Sequence, residues 1–240
     1  SEMCIRDSLY SSSEEVVAVA YDSLKATLAQ QSKLPKDLLR SGLQPILMTL
    51  ADRHRLTSAG LDGLAHLLQL LTNYFKVEIG IKLLDHLSAL AEPAMLRRAA
   101  AGPLDTHEKL RILTAIVRVF HLLPDTAYQF LPRLLVYVAE IESHLRRSGP
   151  TPLTDMLTLF LDHFSEHTVC YYFESDGHVR FTDVLQNPRL FRLLRLALQS
   201  PRGASLRREL SRRAEDLFLP LLSDASNNQS AVSYTHLRAH

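Results

Sequence analysis

Tryptophan is missing from the chain, and glycine occurs only 8 times in 240 residues. A sandwich or barrel needs frequent glycine turns and β-branched runs, so this scarcity beside a wealth of leucine points to helices. Cysteine is equally thin. Cys4 and Cys170 make no disulfide framework, which fits a reducing compartment. Neither sign of charge dominates: 27 Lys and Arg stand against 26 Asp and Glu, a formal net charge of +1. Nothing global therefore draws the chain to nucleic acid or acidic lipid. No apolar run approaches the roughly 18 residues of a membrane span, and the best candidate, Ile112 to Leu123, is broken by Arg118 and His121. No signal-peptide hydrophobic region opens the chain. The phosphate-cradling patterns G-x-x-x-x-G-K and G-x-G-x-x-G are absent, as is the nucleophile elbow G-x-S-x-G.

What is present is helical periodicity. A hydrophobic content of 46% suffices for a sizeable core. In Leu34 to Leu90, apolar residues recur at three-to-four spacing in three sets: Leu38, Leu39, Ile46, Leu47 and Leu50; Leu61, Leu64, Leu67, Leu68, Leu71 and Phe75; Ile79, Leu83, Leu84, Leu87 and Leu90. Each set makes one stripe that must be buried against a neighbour. Upstream, Ser13 is a candidate cap for a helix whose stripe is Val16, Val17, Ala20, Leu24 and Leu28. Pro35 suits a first turn, whereas Pro45 falls inside a helix and predicts a kink. Ser58 is the expected cap of the third helix, Pro93 ends the pattern after Leu90, and Asp105 to Glu108 has capping-box spacing. Further stripes are Leu110, Leu113, Val117 and Phe120; Phe130, Leu134, Leu135, Val138, Ile141 and Leu145, with Pro132 inside that helix; and Leu153, Met156, Leu157, Phe160 and Phe164, in a helix ending near Phe173. A segment over 181–199 and a last helix over 204–222 complete the series.

The first helix of each presumed pair begins near 14, 58, 107, 152 and 203, at intervals of about 44–51 residues. Helical hairpin repeats of the HEAT and armadillo type recur at about 40–47 residues, and insertions lengthen some units. The expected fold is all-α: a HEAT-like α-solenoid of stacked antiparallel helical hairpins, with an irregular bundle as the alternative. Residues 9–225 carry the repeats. Residues 1–8 and 226–240 are set apart as non-native ends, because SEMCIRDS and, at 231–240, AVSYTHLRAH resemble translated sequencing-adaptor ends. On that reading the chain is a fragment of a longer protein.

Three groups invite a chemical reading. His163, Glu166 and His167 match the H-x-x-E-H pattern of zinc hydrolases. On one continuous helix the two histidines would lie a turn apart, with Cys170 roughly on the same face. Against a metal stand the missing third ligand motif and the cheapness of a five-residue match among 11 histidines. Arg202, Arg207, Arg208, Arg212 and Arg213, with Arg189, Arg192 and Arg195 upstream, form a basic cluster. Without interleaved aromatics or a recognition motif it reads as a solvated helix face rather than a nucleic-acid surface. Tyr171, Tyr172 and Phe173 read as local packing. Asp37, Asp52, Asp62 and Asp85 fall at helix starts or on polar faces. No catalytic, cofactor-binding or metal residue is assigned, and no enzyme activity is expected.

The segments LPKDLL (34–39), PIL (45–47), LDGLAHLLQLL (61–71), Tyr74–Phe75 and GIKLLDHL (80–87) resemble, in this order, the helical-repeat region of the transformation/transcription domain-associated protein (TRRAP) family. Gln44, Tyr74 and Ile81 depart from its pattern, where Arg, Trp and Glu are usual. The resemblance implies a HEAT-repeat segment of a phosphatidylinositol-kinase-related pseudokinase. Such proteins are nuclear, non-catalytic scaffolds of SAGA-type histone acetyltransferase complexes on chromatin. They are transcription coactivators whose partners are complex subunits and transcription activators. No cofactor, small-molecule substrate or membrane enters, and nucleic acid is not an expected partner. Two rivals remain: an importin-like transport adaptor, disfavoured by the missing tryptophan, and a zinc hydrolase built on His163, Glu166 and His167.

Overall fold

The computed structural model describes residues 50, 52–71, 77–175, 177–179 and 182–222, with a few helical positions between 15 and 26. The readings at Pro35 and Pro45, and the family positions 34–39, 45–47 and 74–75, lie outside the described residues. Of the first stripe, Val16 is described and is 42% exposed, not buried as the spacing predicts. The described chain is all-α apart from one pair of two-residue strands, and it divides into two compact units at Met156/Leu157.

The first unit holds α1 (Ser58–Leu71), α2 (Ile79–Leu90), α3 (Pro93–Ala100), α4 (Glu108–Val119) and α5 (Leu131–Leu145), with 3-10 turns between α3 and α4 and between α4 and α5. The stripes face inward as expected: Leu61, Leu64 and Leu68 of α1, Leu83, Leu84 and Leu87 of α2, Leu110, Leu113 and Val117 of α4, and Leu134, Leu135 and Val138 of α5 are all sealed from solvent. Each such leucine contributes about 1.5–3 kcal/mol by leaving water.

Helices one repeat apart lie side by side, α1 against α4 and α3 against α5. Polar contacts show that like ends meet. Ser58, first in α1, donates to Glu108 Oε1, first in α4, at 3.2 Å. Arg147, just past α5, donates to the carbonyls of Ala100 (3.0 Å) and Gly102 (2.8 Å) at the end of α3.

Two family positions have direct physical reasons. A Cβ at Gly80 would sit 2.3 Å from Cε2 of the Phe130 ring, so only glycine lets α2 close on that aromatic. His86 is buried, and its Nε2–H donates to the Leu50 carbonyl at 2.6 Å. Ile81, where the family pattern has Glu, is 44% exposed, a position open to either residue.

The element ends correct several expectations. Thr57, not Ser58, caps α1, since its hydroxyl accepts from Gly60 N–H at 3.0 Å. The Asp105–Glu108 box does not form: Asp105 lies in the 3-10 turn Leu104–Thr106, and His107 precedes α4 without a side-chain cap. Pro93 does not merely end a pattern but opens α3, a short helix the stripes did not reveal. Pro132 sits in the first turn of α5, where its missing N–H costs nothing, so it starts the helix instead of kinking it.

α6 (Pro152–His163) crosses the division between units. Its start is a reciprocal cap: Thr151 N–H donates to Thr154 Oγ1 at 2.8 Å, and Thr154 N–H to Thr151 Oγ1 at 3.2 Å. The Thr151 hydroxyl also donates to the buried Glu142 carboxylate at 2.5 Å.

The second unit continues with α7 (Ser165–Phe173), β1 (Glu174–Ser175), β2 (His178–Val179), α8 (Asp183–Gln186), α9 (Pro188–Gln199), α10 (Ala204–Arg212) and a helix over 214–222, here α11. The strands pair antiparallel, Glu174 with Val179 and Ser175 with His178. Two helices expected to be continuous are broken, one at Phe164 and one at Arg213. Thr182 and Asn187 cap α8 and α9 with their side chains. Tyr172 is buried and donates to the Leu190 carbonyl at 2.8 Å, which ties α7 to α9. A Cβ at Gly203 would meet the Ala197 carbonyl oxygen at 2.1 Å, so the α9–α10 turn requires glycine.

Candidate functional site

The H-x-x-E-H residues do not share a helix. His163 is the last residue of α6, Phe164 has left helical geometry (φ −101, ψ 44), and Glu166 and His167 belong to α7. The Thr168 hydroxyl donates to the Leu161 carbonyl across this break, at 3.2 Å. Both imidazoles are exposed and stand edge-on to buried Phe164, with ring centroids 4.6 Å (His163) and 6.4 Å (His167) away. The one-turn relation that would let them share a metal is therefore lost. Cys170 turns elsewhere, with Arg213 Nη1 3.3 Å from its sulfur, and burial pushes its thiol upward in pKa. The described residues contain no group of three His, Cys, Asp or Glu placed to hold a metal ion.

Arg207, Arg208 and Arg212 of the basic cluster are exposed, as on a solvated helix face, while each also bonds within the fold. Arg207 donates to the carbonyls of Leu198 (3.0 Å) and Ser200 (2.5 Å), satisfying the orphan acceptors at the end of α9. Arg213 pairs with Glu174 across α10 and α7, again joining like ends, and that hydrogen bond raises the guanidinium pKa. Arg212 forks onto Glu209 at 2.9 and 2.6 Å. The hydrogen bond from Arg212 holds the Glu209 carboxyl below the usual carboxylate range. Arg208 donates to Ser205 Oγ at 3.2 Å. Arg189, Arg195 and Arg202 are exposed.

The acidic positions are likewise structural. Asp52 accepts from His54 N–H at 3.0 Å, Asp62 pairs with Arg118 between α1 and α4, and Asp85 lies 3.8 Å from Arg133 between α2 and α5. Asp37 lies outside the described residues. Tyr172 packs inside as expected, and Phe173 meets Phe218 edge-on at 6.2 Å.

Periodicity alone missed an apolar groove of about 810 Å³ in the second unit. Phe173, Leu185, Phe191, Leu198, Phe218 and Leu222 line it, and Gln186, Arg195 and Gln199 stand among them. Phe191 is 47% and Phe218 42% exposed. The signal was present: Phe191 aligns with Leu194 and Leu198, and Phe218 with Leu222, widening the apolar face of each helix where solvent would favour polar residues.

Residues 7–238 match the family model described as the Tra1 HEAT repeat ring region. A Schizosaccharomyces pombe protein described as SAGA complex/NuA4 acetyltransferase complex subunit Tra1 is 44% identical over 184 residues, 75% of this chain and 5% of that protein. Its Saccharomyces cerevisiae counterpart is 36% identical over 220 residues, 92% of this chain and 6% of that protein. The transformation/transcription domain-associated protein of Danio rerio is 23% identical over 178 residues, 66% of this chain and 5% of that protein. The chain thus spans about one twentieth of the length of these relatives.

Proposed function

The chain belongs to the Tra1 HEAT repeat ring family, and from that membership we propose that it is a non-catalytic scaffold segment of a SAGA-type histone acetyltransferase coactivator. On this reading it works in the nucleus, on chromatin, through protein–protein contacts with complex subunits and transcription activators. The observation that carries the reading is the 44% identity to a protein described as a SAGA and NuA4 complex subunit. The chemistry agrees with it. Acids such as Asp62 and arginines such as Arg207 bond within the fold, and the groove of the second unit is apolar rather than lined by convergent polar groups. A stack of helical hairpins acts by geometry, presenting an extended surface on which partners dock. The importin-like alternative loses its footing with the family assignment. The zinc-hydrolase alternative loses its geometry with the helix break at Phe164.

The test uses the full-length protein purified with its complex. Charges are introduced singly at exposed apolar positions, Tyr128→Glu and Val136→Glu in the first unit and Leu219→Glu in the second. The expected outcome is a severalfold loss of particular co-purifying subunits, or of activator capture, for at least one variant at unchanged protein abundance. Unchanged recovery across all three would overturn the scaffold reading of this segment.

A further inference from the structure

We propose that Ser200, in the turn between α9 and α10, is a phosphorylation site for a proline-directed protein kinase. The phosphate it gains is received by the same turn, at the Arg202 N–H and the Arg207 guanidinium. The inference does not rest on which complex holds the protein.

Two hydroxyl residues in the chain precede a proline, Thr151 before Pro152 and Ser200 before Pro201. The fold treats them oppositely. Thr151 is 2% exposed, and its hydroxyl is bonded to the Glu142 carboxylate. Ser200 is half-buried, and Gln199, Pro201 and Arg202 around it are exposed. Its backbone is extended (φ −70, ψ 141), the conformation that a following proline favours. A kinase cleft takes its acceptor as extended peptide, and a proline at the next position brings no N–H that would need a partner there. A neighbouring hairpin stacks on the flanks of helices, as α4 does on α1 and α5 on α3, and leaves the joining turns at the margin. In the transfer, Ser200 Oγ attacks the γ-phosphorus of a nucleoside triphosphate. The bond from that phosphorus to the β–γ bridging oxygen breaks, the nucleoside diphosphate leaves, and the hydroxyl proton passes to the kinase's carboxylate base.

The turn also suits the product. Arg202 N–H already donates to Ser200 Oγ at 3.2 Å. Arg207 Nη1 lies 2.5 Å from the Ser200 carbonyl and 3.0 Å from that of Leu198. Its charge therefore stands beside the acceptor residue on two neutral partners. Residues 188–213 hold eight Arg against one Glu, in a chain whose net charge is +1. A phosphate at the C-terminal end of α9 is disfavoured by the helix dipole, an effect of a fraction of one charge. Charge-assisted hydrogen bonds from a guanidinium and a backbone amide are the larger effect, so the basic turn holds the phosphate.

The test incubates the full-length protein, purified with its complex, with a proline-directed kinase and ATP, and maps phosphate by mass spectrometry. The expected outcome is phosphate at Ser200, and none at Thr151 until the protein is denatured. Ser200→Ala should remove the signal, and Pro201→Ala should slow its gain severalfold. Failure to modify Ser200 in the folded protein, while a peptide of residues 196–206 is modified, would overturn the proposal. So would equal modification of Thr151 and Ser200 in the folded protein. The receiving role is read from the rate at which a phosphatase releases the phosphate. Arg207→Gln keeps a donor for the two carbonyls and removes the charge, so release should quicken severalfold. Arg208→Gln, whose guanidinium reaches Ser205 instead, should leave the rate unchanged. An unchanged rate in Arg207→Gln would overturn the receiving role. None of these readouts depends on which subunits co-purify, so a failed scaffold reading and a failed Ser200 assignment remain distinguishable.

Discussion

At the scale of single residues, the most informative contacts are those where nothing larger fits. Gly80→Ala would drive a methyl group to 2.3 Å from the Phe130 ring. The expected cost is about 1–3 kcal/mol, typical of overpacking, read from urea denaturation. Phe130→Leu in the same chain should recover part of it, because the obstacle is one side chain. Tyr172 supplies a second test. Replacement by Phe leaves the Leu190 carbonyl without its buried donor, a loss of about 1–2 kcal/mol at neutral pH. Burial also raises the phenol pKa far above its ordinary value. A group raised in the folded state contributes fully below its unfolded pKa of about 10 and loses that contribution as pH climbs through its folded value. Stability should therefore be flat in Tyr172 through neutrality and fall above about pH 10. Tyr172→Phe should blunt that alkaline limb, leaving the share due to Tyr171, which burial also raises. Neither Gly80 nor Tyr172 was legible as a contact. The resemblance marked Gly80, and Tyr172 read as local packing near a helix end, but a partner 50 or 18 positions away leaves no local trace.

At the scale of elements, Thr151 shows how one side chain can serve two helices. It caps α6 and donates to the buried carboxylate of Glu142 in α5. Thr151→Ala should cost about 2 kcal/mol, the upper end for a lost cap, because a buried acceptor loses its donor as well. Thr154→Ala should cost less, and comparing the two denaturation midpoints checks the order. Helix identity was readable because a leucine stripe repeats over many residues, and Leu64, Leu84, Leu113 and Leu135 all face inward as their spacing requires. Helix ends were less readable, since a cap is decided by one hydrogen bond. Thr57 and Ser58 are chemically equivalent candidates one position apart, and only the backbone path selects Thr57. The breaks at Phe164 and Arg213 carry no glycine or proline. At Arg213 the side chain pairs with Glu174, and across Phe164 the Thr168 hydroxyl reaches the Leu161 carbonyl, contacts that propensity does not register. The H-x-x-E-H reading failed for that reason: it presumed an unbroken helix.

At the scale of the whole molecule, near-neutral charge has a consequence. With a net charge of +1 and an isoelectric point near 7.9, the separate chain lacks electrostatic repulsion around pH 8 while exposing an apolar groove. Turbidity at fixed concentration should peak near pH 8 and fall on either side. Occupying the groove should shrink that peak. Fold was legible because the leucine period runs along the chain, and family because the motifs at 61–71 and 80–87 stand in order within one stretch, whereas the groove needed helices placed in space. The matching of helix tips carries a mechanical corollary. Oily flanks grip without direction, and the directional bonds, Ser58 to Glu108 and Arg147 to Ala100 and Gly102, sit at the margins. A tug along the stack would unfasten those marginal bonds singly before any leucine slid free. Each unit would lengthen in small reversible steps, like a spring, long before it tore.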